Sequence, residues 1–291
     1  MPKDLKKRLP GQELVRLYKT EGHSLGDIGK MYGVSRTAIM KYCNILGVAR
    51  RTKGEARLLA QKRGKVGNQR YCTINEAFFG SWSPEMAYVL GLLITDGCLS
   101  RSKNGSYRIS LCLNDRSLLE KVARAIGSNH TIANSKHQRG LHVFIFGRKK
   151  IAQDLMRLGM KPRKSLDIGF PDVPDGYLRD FIRGAFDGDG SVYYSKAKKL
   201  KLTTSFTSGS RAFVYGLEKA LQGLGMPQQK IYESHYKNTY YTIRYSHKNS
   251  IILFKILYGN MQNDLYLRRK YDKFKAVIDH EKSIRRVQRA T

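Results

Sequence analysis

The chain has 291 residues, with 54 Lys and Arg against 23 Asp and Glu and a formal net charge of +31. Such a surplus repels itself unless a polyanion neutralises it, which points to nucleic acid as the partner. A 41% hydrophobic share excludes a disordered basic tail, the longest apolar runs (87–94, for example) are too short to span a membrane, and Cys43, Cys72, Cys98 and Cys112 form no CxxC pair that would suggest zinc.

Residues 1–49 read as a small all-α segment. The basic start "MPKDLKKRLPG" has no apolar run behind it, so it is no secretory signal. The expected location is the cytoplasm or the compartment of a host genome. "QELVRLYKTEG" reads as a helix with Leu14, Val15, Leu17 and Tyr18 inward. Ser24 can cap the next helix, whose apolar positions are Leu25, Ile28, Met31 and Tyr32. Gly33 marks a turn, and Ser35 can cap a further helix with Ile39, Met40 and Cys43 inward. Gly29, Gly33 and Ile39 have the spacing of a helix-turn-helix, in which a small residue admits close approach and a glycine serves the turn. The second helix would then present Arg36, Thr37, Lys41 and Tyr42 to a DNA groove. Residues 50–75, beginning with Arg50 and Arg51, hold little that could build a core and read as a basic linker or arm along phosphates.

Two longer segments, 76–170 and 171–291, look like one design used twice. The first opens on "AYVLGLLITDG" and continues with strand-like "SYRISLCLND", helical "RSLLEKVARAIG", strand-like "HTIANSK" and "LHVFIFGR", then a helix and "KPRKS". The second opens on "LRDFIRGAFDGDG" and runs through "SVYYSKAK", "LKLTTSFTS", helical "RAFVYGLEKALQGLG", "KIYESHYK" and "TYYTIRYS" to a helix and "YLRRKYDKF". Strand alternation puts Arg108 and Ser110 opposite Tyr107, Ile109 and Leu111, and Tyr240, Thr242 and Arg244 opposite Tyr241, Ile243 and Tyr245. The fold class is α+β, with antiparallel sheets whose basic, tyrosine-rich faces suit a DNA groove. Arg108, Tyr240, Thr242 and Arg244 are expected at base edges and Lys199 at phosphate.

Asp96 and Asp189 end the opening helices at matching places, where the helix dipole already disfavours an anion. Small residues precede them: Ala87 and Gly91 in one helix, Gly184 and Ala185 in the other. If the helices pack side by side and parallel, the carboxylates meet, and a divalent cation is the natural compensation. Oxygen ligands favour Mg²⁺ or Mn²⁺, and such ions between carboxylates in a basic protein suggest phosphodiester hydrolysis. "DGDGS" fails as an EF-hand, because Val192 and Lys198 stand where glycine and glutamate are required.

"VLGLLITDG" and "IRGAFDGDG" resemble the LAGLIDADG motif of homing endonucleases in the monomeric two-repeat form. The resemblance covers about 76–280. It implies two pseudo-symmetric αββαββα repeats, saddle sheets in the DNA major groove, and metal-dependent cleavage of both strands by a single-chain monomer. It also implies that Asp96 and Asp189 hold the metal, that Lys164 and Lys270 are the basic residues beside the active sites, and that Asp115, with Ser210 as counterpart, orients solvent. The rival readings on this scaffold are an intron-splicing maturase, with intron RNA as partner, and a DNA-binding transcription regulator.

Overall fold

A computed structural model describes residues 4–62, 72–102, 105–162, 167–195, 200–235 and 238–290. The chain divides into two compact units, Met1–Tyr71 and Cys72–Thr291.

The first unit contains α1 (Leu5–Arg8), α2 (Gly11–Val15, continued by a π-helical turn over Arg16–Thr20), α3 (Leu25–Met31), α4 (Arg36–Ile45) and α5 (Lys53–Lys62). Ser24 and Asp27 form a reciprocal capping box at the start of α3, and Ser35 accepts from Ala38 N–H to cap α4. Gly33 turns at φ +64° between the two helices. A Cβ on Gly29 would come within 2.6 Å of the Val34 carbonyl oxygen, so this position requires glycine for the close approach. Leu14, Ile28, Ile39, Tyr42 and Cys43 are among the residues of this unit's own small core, whereas Val15 and Met31 are exposed.

Within 50–75, read as a linker or arm, the described residues include a further helix. Thr52 and Glu55 form a capping box, with Thr52 N–H donating to Glu55 Oε2 at 2.7 Å and Glu55 N–H to Thr52 Oγ1 at 3.2 Å. The helix α5 follows directly. The signal was present as "TKGE", the Thr-x-x-Glu spacing of such a box.

The second unit runs α6 (Pro84–Asp96), β1 (Gly97–Arg101), β2 (Tyr107–Leu113), α7 (Arg116–Ala125), β3 (Ile132–Asn134), β4 (His142–Phe146), α8 (Lys149–Arg157). The order repeats as α9 (Asp175–Asp189), β5 (Gly190–Ser195), β6 (Lys201–Ser208), α10 (Arg211–Gly223), β7 (Ile231–His235), β8 (Thr239–Tyr245), α11 (His247–Tyr258), and α12 (Arg268–Ala290) follows. The strands form two antiparallel four-stranded sheets, ordered β1-β2-β4-β3 and β5-β6-β8-β7. This is two αββαββα repeats plus a terminal helix. The strand β1 does not stand out in the sequence, because Asp96-Gly97 reads as a turn; Gly97 instead goes straight from the helix into extended backbone at φ −80°, ψ 154°. Among the described residues no helix is long and apolar enough to cross a membrane.

The helix α6 is buried on every side from Met86 to Ile94, which makes it the central element of the unit. It packs along α9 with backbones nearly touching. A Cβ on Gly91 would meet Phe181 O at 2.1 Å, and one on Gly184 would meet Tyr88 O at 2.0 Å. An alanine at either place must push the helices apart, and strain of that kind costs about 1–3 kcal/mol. The contacts advance together along both chains, from Tyr88 beside Gly184 to Thr95 beside Gly188. The helices are therefore parallel, the arrangement on which a meeting of the two carboxylates depends.

Candidate active site at the paired helix ends

Parallel packing brings both helix C-termini to one place. Asp96 is the last residue of α6 and Asp189 the last of α9. A Cβ on Gly188 would lie 2.0 Å from Thr95 Oγ1 and 2.5 Å from Asp96 Oδ2, so the residue beside Asp189 abuts the carboxylate of Asp96. The two environments differ: Asp96 is half-buried and Asp189 exposed. The strands β1 and β5 leave directly from these aspartates, so each sheet begins at the site.

The donor set suits a hard cation. Among the described residues no cluster of three or more His, Cys, Asp and Glu is placed to hold a metal. An ion between Asp96 and Asp189 would complete its shell with water, backbone or phosphate oxygens, which is the habit of Mg²⁺ rather than zinc.

Behind the carboxylates lies a network that the sequence did not reveal. Asp187, 1% exposed, accepts hydrogen bonds from Tyr88 O–H, Tyr258 O–H and Leu267 N–H, each at 2.8 Å. Burial pushes its carboxyl up from the ordinary value, against the opposing pull of these bonds and of the Lys270 ammonium. Burial, and then the Asp187 charge, raise both tyrosines well above the usual phenol value. One layer further back, Arg183 is 2% exposed and donates to Asp180 at 2.6 Å, Leu265 O at 3.1 Å and Leu257 O at 3.2 Å. The bonds to Leu257 and Leu265 tie α9 to the end of α11 and to the chain between α11 and α12. Asp187 stands where the first motif has Ile94, so this anchor exists only in the second repeat.

Lys270 lies at the site and is almost fully buried. It is 3% exposed, and its Nζ donates to the carbonyls of Phe186 at 2.6 Å, Asp187 at 2.8 Å and Gly188 at 3.0 Å. Lys270, expected as a basic residue beside the active site, clamps the last turn of α9. There the ammonium offsets the negative end of the helix dipole, which answers how the helix tolerates its terminal aspartate. Burial lowers its pKa from 10.5 to about 8, opposed by Asp187, assisted by Arg269 and opposed again by Asp96 and Asp189. Between those two values the unfolded chain holds more protons than the fold. Wild-type protein should therefore gain stability over Lys270→Met as pH rises from about 8 toward 10.5, and lose that gain as pH falls through 8. Paired chemical denaturation curves across this range would check it, and a constant difference would show that the clamp is not titrating.

Asp115 sits at the start of a helix. Its Oδ1 accepts from Leu118 N–H at 3.0 Å and Ser117 O–H at 2.9 Å, capping α7. Its counterpart Ser210 caps α10 by accepting from Phe213 N–H at 3.3 Å, and donates to Ile168 O at 2.5 Å. A strand that turns into a helix gains a cap there, and both residues supply it. Lys164 and Lys199 lie outside the described residues.

The other expected contacts divide by exposure. Arg36, Thr37, Lys41 and Arg50 are exposed. Tyr42 is 3% exposed and cannot enter a groove; it shares the Ile39 and Cys43 face of α4, which the i+3 spacing could have indicated. Arg51 folds back onto its own unit, with its guanidinium 4.1 Å from the Tyr18 ring centroid and Nη1 donating to His23 O at 3.2 Å. In the sheets, Arg108, Tyr240 and Arg244 are exposed and Thr242 is half-buried. The register places all four opposite the core, with Arg244 paired to Ser205 and Thr242 to Thr207.

A family description, LAGLIDADG-like domain, matches residues 83–159 and 176–257, together more than half of the chain. No curated protein matches the sequence. Among solved structures, a set of mesophilic variants of the homing endonuclease I-DmoI is 17% identical, covering 65% of this chain and 99% of that one at a TM-score of 0.44. The meganuclease I-SmaMI bound to uncleavable DNA is 13% identical, covering 68% and 89% at a TM-score of 0.47. I-LtrWI bound to target DNA is 15% identical, covering 72% and 92% at a TM-score of 0.45.

Proposed function

This chain belongs to the family of proteins with LAGLIDADG-like domains, and we propose that it is a site-specific endonuclease that cuts both strands of a long DNA target with Mg²⁺ or Mn²⁺. The observation that carries the reading is the convergence of Asp96 and Asp189 at adjacent helix ends in a chain of net charge +31. A divalent ion held there would act as a Lewis acid on a phosphodiester and lower the pKa of bound water. The chain's own part is to fix the two carboxylates, through the Lys270 clamp and the Asp187 anchor behind them. Both motifs are supplied by one chain, so the proposed unit is a monomer on double-stranded DNA. Arg108, Tyr240, Thr242 and Arg244 would meet base edges, where a bidentate arginine on guanine contributes about 1–3 kcal/mol of discrimination. The test is incubation with a randomised DNA library and Mg²⁺, followed by sequencing of cleaved ends. One recovered consensus, cut on both strands, is expected; ends without a consensus, or none above a Ca²⁺ control, would sink the reading.

In this proposal residues 1–71 extend the footprint through Arg36, Lys41 and Arg50. Removing them should weaken binding and flatten the log–log salt dependence by about two to three, one cation per phosphate. Cleavage should survive at high protein concentration. An unchanged slope would show that the unit serves another purpose.

A further inference from the structure

The two sheets present different chemistry on the faces that turn away from the core. Pairing of Ser110 with Ile145, Cys112 with Val143, and Ala133 with Val143 sets the outward row of the first sheet. Their neighbours Ile109, Leu111, Phe144 and Phe146 are buried inward. Val143 and Ile145 are half-buried and Ala133 is exposed, yet none of the three packs against the core. The outward face is thus apolar along β3 and β4, at Ala133, Val143 and Ile145, and bears small polar, thiol and basic groups along β1 and β2, at Cys98, Ser100, Arg108, Ser110 and Cys112. The second sheet turns out Tyr193, Tyr232, Tyr240 and Arg244, groups that hydrogen-bond base edges.

A β-sheet in a major groove meets the edges of four bases, and one of them, thymine, presents a methyl group. Small apolar side chains contact that methyl and gain little from the polar edges of the other bases. The face is continuous with the proposed active site, since β1 begins at the residue after Asp96. The net charge of +31 makes a polyanion the complementary occupant of the face that holds this apolar strip. We infer that the half-site under the first sheet is read through thymine methyls by Val143, Ile145 and Ala133, and that the other half is read by hydrogen bonds. The inference rests on the DNA-endonuclease reading and adds the chemical class of one half of its target.

The experiment begins with the selected site and replaces thymine by deoxyuridine, which removes the methyl alone, in one half and then in the other. Binding is measured at moderate salt so that non-specific attraction is suppressed. Wild-type protein should lose about threefold to fivefold in affinity for each contacted thymine in one half. The variant carrying Val143→Ser with Ile145→Ser should bind more weakly and no longer distinguish thymine from uracil there. Both residues turn outward, and circular dichroism melting checks that the variant is folded. Tolerance of uracil in both halves, unchanged uracil sensitivity in the variant, or a selected half-site without thymine would overturn the inference. Failure of wild-type protein to select any site would overturn the endonuclease reading, and this inference with it.

Discussion

Asp96→Asn and Asp189→Asn should each lower cleavage of at least one strand by more than about a hundredfold, since even the outer partners of metal ligands typically contribute 10–100-fold. Binding should persist, because phosphate and base contacts lie elsewhere. Stability supplies an independent readout. The two carboxylates meet at helix ends whose dipoles are already negative, so removing one charge relieves repulsion. Neither variant should melt below the wild type. A supercoiled plasmid carrying the selected site separates nicked from linear product in Mg²⁺. Full double-strand cleavage by the double variant would exclude these residues as the metal ligands. A large drop in melting temperature with lost binding would show that they hold the fold instead.

Asp187→Ala should be among the most destabilising single changes in the second repeat. It would leave two buried hydroxyls and the Leu267 N–H without their acceptor, and remove the carboxylate that faces the Lys270 ammonium. Each orphaned group costs about 1–3 kcal/mol, and stranding a partner of a buried charge costs about 3–5 kcal/mol. Asp187→Asn keeps the size and one carbonyl acceptor and should cost less. Tyr258→Phe removes one donor and should cost about 1 kcal/mol. The order Ala, then Asn, then Phe is checked by urea denaturation at constant pH. Equal costs for Asp187→Ala and Tyr258→Phe would show that the carboxylate is not the hub. Because Tyr88 belongs to the first repeat's helix and Tyr258 to α11, the same variants test whether Asp187 holds the two repeats' central helices in register.

The outline of this molecule was legible in its residues. Two motifs of small residues ending in aspartate imply two helices that pack closely, because glycine at positions 91 and 184 is what lets backbones approach. The caps at Ser24 and Ser35 define the first unit's helix pair, and the two-residue period of Tyr240, Thr242 and Arg244 assigns their face. These are local signals, carried by spacing along a single element.

What only the tertiary structure decided concerns partners rather than faces. Lys270 read as a basic residue beside the active site and Arg51 as a group for phosphate, and each is turned inward by carbonyls that belong to distant or folded-back chain. The Asp187 anchor joins residues separated by 99, 71 and 80 positions, and no periodicity connects them. Val143 and Ile145 sit among inward residues that are equally apolar, so "LHVFIFGR" shows no alternation and its outward face is invisible until β4 is paired. A sequence specifies which side chains an element can bury. Which charge meets which acceptor is settled only when packing removes water from between them, because there an unpaired polar group costs more than local propensity contributes.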